Sequence, residues 1–162
     1  MAKYDLNDRE IQHGHDRVMR FALWEKQYST YKQSNTLGWE RILAKKAHRR
    51  NLPTKQGVYA FVVRPEIAQL DFTGYILYVG QTENQNFKVR FGQYLSEGRR
   101  GKPRLWVKEM FRRWKHKLFY YYAEMSSIDA AACEEALLSA LLPPYNEKFP
   151  GNLSKIKKEI YR

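Results

Sequence analysis

The 162-residue chain has a single cysteine, Cys133, so no intrachain disulfide can form and a reducing, cytoplasmic setting is expected. No apolar run approaches the roughly 20 residues needed to span a bilayer, so no membrane segment is expected. The opening residues, Met1 to Asp8, lack the apolar stretch of a signal peptide. Acids are scarce beside bases: 17 Asp and Glu against 29 Lys and Arg leave a formal net charge of +12. That imbalance favours a polyanionic partner, nucleic acid first and an anionic membrane surface a distant second. No internal repeat or low-complexity segment is present. A helix-turn-helix and a zinc-finger pattern are also lacking, which argues for a compact chain rather than a modular one.

Hydrophobic residues make up 43% and aromatics 15% of the chain, enough for one domain with a core and an appendage. Residues 5–33 read as a helix, with Ile11, Val18, Phe21, Trp24 and Tyr28 at helical spacing. A second short helix is expected around Trp39, Ile42 and Leu43, ending in a basic run from Lys45 to Arg50. Asn51-Leu52-Pro53 stops it, because proline and its predecessor disfavour continued helix. The expected organisation is a helical extension over 1–50, a central domain over 51–150 and a basic tail over 151–162.

Strands are expected over Gly57–Val63 and Tyr75–Val79, rich in Val, Tyr and Phe, with a third, tyrosine-rich strand over Lys117–Ala123. Helices are expected over 86–97, with Phe87, Phe91, Tyr94 and Leu95 along one side, and over Leu105–Lys115. A last helix, capped by Ser127 or Asp129, runs to Leu142 before Pro143-Pro144.

Five clusters occur in a fixed order: Gly57-Val58-Tyr59, Tyr78-Val79-Gly80, Arg90 with Tyr94, Glu134, and Asn146. Phosphodiesters repel nucleophiles, so a cleaving site must supply positive charge and activate a water in line with the leaving oxygen. Glu134 can hold a hard divalent cation through oxygen, with water filling the other positions. Arg90 offers a planar fork of donors to phosphate. Tyr59 or Tyr78 can present a hydroxyl to the attacking water, and a base role needs positive charge nearby because free tyrosine titrates near about 10. Residues 90 and 94 lie one helical turn apart.

In these clusters the chain resembles the GIY-YIG nuclease family over residues 55–147. Gly57-Val58-Tyr59 resembles the first tripeptide of the family and Tyr78-Val79-Gly80 the second. Asn86 to Arg90, with Tyr94, resembles the helix that holds the essential arginine. Glu134 to Leu138, with Pro143, Tyr145 and Asn146, resembles the segment of the metal-binding glutamate and closing asparagine. The resemblance implies an α+β fold in which helices flank a small sheet of three antiparallel strands. It also implies Mg²⁺- or Mn²⁺-dependent hydrolysis of DNA to leave 5′-phosphate ends. Tyr59 would be the leading base and Tyr78 would assist. Arg90 would stabilise the transition state, Glu134 would bind the metal, and Asn146 would orient local structure. The stretch between the tripeptides is longer than the commonest family form.

Arg99 to Lys117 holds nine Lys or Arg and one acid, Glu109. A charge run is usually a solvated face. Placed on a loop and one side of a helix, Arg99, Arg100, Lys102, Arg104, Lys108, Arg112 and Lys115 are candidates for DNA phosphate contacts, with Lys88 beside the catalytic arginine. His13 and His15 do not face each other on a helix and read as surface residues. Cys133 reads as a small core residue. Restriction, phage, and repair or recombination settings all fit a stand-alone nuclease, as a homodimer or homotetramer. The rival reading is a nucleic-acid-binding module that no longer cuts.

Overall fold

The computed structural model describes residues 37–64, 74–97 and 104–151, together with 153 and 155. The helix expected over 5–33, with His13 and His15, lies outside the described residues, as do Arg99, Arg100 and Lys102 and most of the basic tail.

The fold is α+β. Four strands, β1 (Glu40–Leu43), β2 (Gly57–Val63), β3 (Tyr75–Gln81) and β4 (Leu118–Glu124), form one antiparallel sheet in the order β1-β4-β2-β3. The expectation of three strands is therefore corrected to four among the described residues. The added strand is β1, which had been expected to be helical. It pairs with β4 from Glu40 opposite Tyr122 to Leu43 opposite Phe119, and the Tyr122 hydroxyl donates to Glu40 Oε2 at 2.8 Å. The basic run that follows is a short 3₁₀ turn, Lys46–Asn51. The sheet thus begins N-terminal to the boundary expected at residue 51.

Every residue of β2 is buried, which accounts for its nearly continuous apolar run: a strand covered on both faces has no use for alternation. One face of the sheet meets α1 (Phe87–Ser96) and α2 (Leu105–Arg113) through Tyr59, Phe61, Tyr120 and Tyr122 packed on Phe87, Phe91, Tyr94, Val107 and Met110. The other face presents Val58, Ala60, Val62, Val79 and Ala123 to α3 (Ser127–Leu141), which contributes Cys133 and Leu138. Cys133 is a buried core residue, as expected.

Asn86 caps α1 by accepting from the Val89 N–H at 2.9 Å. Ser126, one residue before the expected cap, caps α3 by accepting from the Asp129 N–H at 3.2 Å. Leu142 ends α3 in the left-handed region at φ 43°. No helix among the described residues is long and apolar enough to cross a membrane.

Candidate active site

β3 is an edge strand, and its free side is covered by the segment that follows α3. The Tyr145 N–H donates to the Leu77 carbonyl at 2.9 Å. The buried Asn146 side chain accepts from the Val79 N–H at 2.9 Å and donates to the Val79 carbonyl at 2.8 Å. Asn146 thus holds the middle residue of the second tripeptide through both of its backbone groups.

Along this edge runs an open groove of about 630 Å³. Tyr78 and Gln81 line it from β3, Arg104 and Trp106 from the start of α2, and Glu134, Glu135 and Leu138 from α3. Tyr145 to Pro150 close its end. A second groove of about 620 Å³, lined by Thr54 to Gln56, Asn84 to Asn86, Glu124 and Met125, contains none of the expected site residues.

Tyr59 and Tyr94 sit behind the groove wall, both buried, with their hydroxyls 2.8 Å apart. Arg90 Nε donates to the Tyr59 hydroxyl at 2.9 Å, and its Nη1 donates to Gln93 Oε1 at 3.2 Å. The Arg90 guanidinium lies 5.3 Å from the Tyr94 ring centroid and 6.0 Å from that of Tyr59. The Tyr78 ring stacks on Trp106 at 4.7 Å and lies 6.2 Å from Tyr59 and 6.1 Å from Tyr94. The Tyr78, Tyr94 and Tyr59 rings therefore form a triangle, with Tyr78 on the groove and Tyr59 and Tyr94 bearing on the partly buried Arg90.

The electrostatics follow from this packing. Burial holds the Tyr59 phenol well above its ordinary value, Tyr94 and Tyr78 add to the rise, and Arg90 offsets it only in part. Tyr78 is also pushed up, by burial first and then by Tyr94, with Arg90 acting downward. Burial works against the charge of Arg90, but the surrounding phenols hold its pKa above the usual guanidinium value. The expectation that Tyr59 is the leading base is corrected here. It exposes no surface, and its hydroxyl is engaged by Tyr94 and Arg90, so it cannot touch a groove water directly. Of the two tyrosines, Tyr78 lines the groove.

Glu134 is the carboxylate that faces this arrangement. Burial raises it above the usual carboxylate range, while a hydrogen bond from the Gln81 side chain and the charge of Arg90 pull it down and Glu83 pushes it up. Glu134, Arg90 and Tyr78 thus lie within electrostatic reach of one another. Glu135, its neighbour, is exposed on the same groove. Among the described residues no cluster of three or more His, Cys, Asp or Glu side chains exists. A single half-buried carboxylate with an amide beside it fits Mg²⁺, which keeps several waters and binds through one or two carboxylates plus substrate phosphate.

The raised carboxyl has a consequence for stability. In the folded state Glu134 holds its proton more tightly than in the unfolded chain. Below the ordinary carboxylate range both states are protonated and the group costs nothing. As pH rises through the folded-state value, stability falls to a lower plateau. Glu134→Gln is therefore expected to raise the Tm at neutral pH in metal-free buffer, with the gain vanishing in acid. Thermal unfolding between about pH 4 and pH 8 measures this, and an equal Tm at neutral pH would contradict it.

The basic candidates divide. Lys108 is exposed on α2, away from the buried Val107 and Met110, Lys115 is exposed in the turn that follows, and Arg112 is exposed while pairing with Glu109 at 3.1 Å. Lys88 does not line the groove; its carbonyl accepts from Arg49 Nε at 2.9 Å. Arg104 is built into the groove wall rather than into an exposed charge run. Sequence reasoning missed Gln81, Glu97 and Trp106. Gln81 directly follows the second tripeptide and could have been found by position. The other two become visible only once α1 and α2 are packed.

Compared with known proteins, the chain matches no family model, no curated protein and no solved structure.

Proposed function

We propose that this chain is a metal-dependent DNA endonuclease of the GIY-YIG type, hydrolysing phosphodiesters to leave 5′-phosphate ends. The observation that carries the reading is the convergence of Tyr78, Glu134 and the Tyr59-bound Arg90 at one edge of the sheet, with Asn146 fastening the strand between them. The sheet lends support: β4, β2 and β3 are three antiparallel strands of the kind the resemblance implies, with β1 added outside β4. The net charge of +12 suits a polyanionic substrate.

In this reading Arg90 stabilises charge developing on the phosphoryl oxygens. Tyr59 and Tyr94 fix its guanidinium and stay protonated, and Tyr78 orients the attacking water from the groove. Glu134 would hold Mg²⁺ or Mn²⁺. When bound, the cation supplies Lewis-acid stabilisation and lowers the pKa of water. Duplex cleavage with one site per chain calls for two chains or two successive nicks, so a homodimer or homotetramer is part of the proposal. A restriction or phage setting suits a compact nuclease of this kind.

The test is cleavage of supercoiled plasmid with Mg²⁺ or Mn²⁺. Wild type is expected to convert it to open-circular or linear DNA with 5′-phosphate ends, and EDTA and Glu134→Ala are each expected to stop conversion. Tight DNA binding with no cutting, across both metals and several DNA structures, would replace the enzyme with a binding module.

A further inference from the structure

We propose that Arg104 forms a second phosphate subsite in the groove, for a phosphodiester beside the scissile one, with Glu97 as the residue that positions it. The identity of the ligand rests on the nuclease reading, but the geometry does not.

Glu97 ends α1 and is 1% exposed. Its carboxylate accepts three bonds from Arg104: from the backbone N–H at 3.0 Å, from Nε at 3.0 Å and from Nη2 at 2.9 Å. The guanidinium also lies against two rings, 5.1 Å from the Tyr94 ring centroid and 5.3 Å from that of Trp106. A fork fastened in this way loses little freedom on meeting a ligand. Nη1 takes no part in the Glu97 pairing, and the side chain keeps 35% of its surface exposed on the groove that Tyr78 and Glu134 share.

Charge points the same way. Arg104 and Arg90 are close enough to act on each other electrostatically. Arg104 lines the groove, Arg90 is held on the buried Tyr59 hydroxyl, and the one Glu97 carboxylate sets a single negative charge against two guanidiniums. An anion lying along the groove relieves that repulsion. Successive phosphates of one strand provide two negative charges at a fixed spacing, one for each arginine. A buried ion pair adds little stability over well-packed apolar residues, so stability alone is a weak reason for this one.

The test measures binding of a short labelled DNA duplex by fluorescence anisotropy over a range of salt without divalent cation, beside steady-state cleavage with Mg²⁺. Removing Arg104 alone strands a buried carboxylate, so the main variant is Arg104→Gln with Glu97→Gln, checked for fold by near-UV circular dichroism and Tm. It is expected to make the slope of log affinity against log salt shallower by about 0.9, one phosphate contact, and to raise KM more than it lowers kcat. Arg104→Lys keeps the charge without the fork. It is expected to keep the slope while raising KM, and it serves where the double variant does not fold. Glu97→Gln is expected to behave like Arg104→Lys, because it frees the guanidinium without removing its charge.

Wild-type slope and affinity in the folded double variant would overturn the subsite while leaving the nuclease reading in place. Wild-type binding with the expected losses in the variants, but no cutting, would sink the nuclease reading and leave the subsite standing. Absence of salt-dependent DNA binding by the wild-type chain would overturn both.

Discussion

Arg90→Ala is expected to slow plasmid cleavage by about a thousandfold, with the fold retained. In the proposed mechanism the guanidinium has two tasks, and alanine performs neither. Nε anchors the group on the Tyr59 hydroxyl at 2.9 Å, and Nη1 is steadied by Gln93. That anchorage leaves the rest of the fork to meet charge on the phosphoryl oxygens at little reorganisation cost, which is where preorganised donors contribute most. Folding should survive because the Tyr59 hydroxyl keeps its 2.8 Å bond to Tyr94, so no buried polar atom is orphaned. Arg90→Lys is the sharper variant. An ammonium carries the same charge but cannot bond Tyr59 and present a flat fork to phosphate at once. It is expected to lose about a hundredfold in kcat with KM little changed. Single-turnover cleavage with saturating enzyme measures both variants, and Arg90→Lys activity within a few-fold of wild type would remove Arg90 from the chemistry.

The same anchorage shows what the sequence carries and what it does not. The strands that carry the two tripeptides and the helical stripe of Phe87, Phe91 and Tyr94 are legible because each is a local pattern of apolar spacing. β1 is not. Trp39 to Leu43 mixes charged and apolar residues without alternation and runs into Ala44-Lys45-Lys46-Ala47, which reads as helix. Its conformation is decided instead by β4, some eighty residues later, through backbone pairing and the bond between Tyr122 and Glu40. Propensity is a weak prior when a sheet edge is on offer. The burial of Tyr59 is hidden for a similar reason. A strand tyrosine can face water or core, and what seals this one is Tyr120, Tyr78 and Tyr94 arriving from three other elements.

The basic tract carries a related lesson. As sequence, Arg104 is one of nine like charges between 99 and 117. In the fold Arg104 is bonded to the buried Glu97 and lines the groove, whereas Lys108, Lys115 and Lys117 are exposed. Tyr120 to Tyr122 divide likewise: Tyr120 and Tyr122 are buried on the α1 face, while the Tyr121 hydroxyl accepts from Arg64 Nη1 at 3.0 Å on the other face. Composition predicts a polyanion partner, but only the fold separates a charge that lines the groove, Arg104, from those exposed away from it.

The glycines of the two tripeptides are expected to fail in different ways, and the contrast tests how the site is built. A Cβ on Gly57 would lie 2.0 Å from the carbonyl oxygen of Ala123 and 3.0 Å from the backbone nitrogen of Met125, and the residue sits at φ 155°. Neither obstacle is a flexible side chain, so the β2–β4 pairing itself must open. Gly57→Ala is expected to cost about 4 kcal/mol or more, a large part of a typical domain's stability. A Cβ on Gly80 would instead meet the Tyr59 hydroxyl at 2.5 Å, its ring carbon Cζ at 2.7 Å and Tyr78 Cε1 at 2.9 Å. Gly80 lies opposite Tyr59 in the sheet, so the glycine leaves the space in which that hydroxyl receives Arg90. Gly80→Ala is expected to cost about 1–3 kcal/mol through overpacking and to push both phenols out of line. Cleavage should fall about a hundredfold in a protein that still unfolds cooperatively. Urea unfolding beside single-turnover cleavage separates the two outcomes. A Gly80→Ala protein that is folded and fully active would mean that the placement of Tyr59 behind the groove has no part in catalysis.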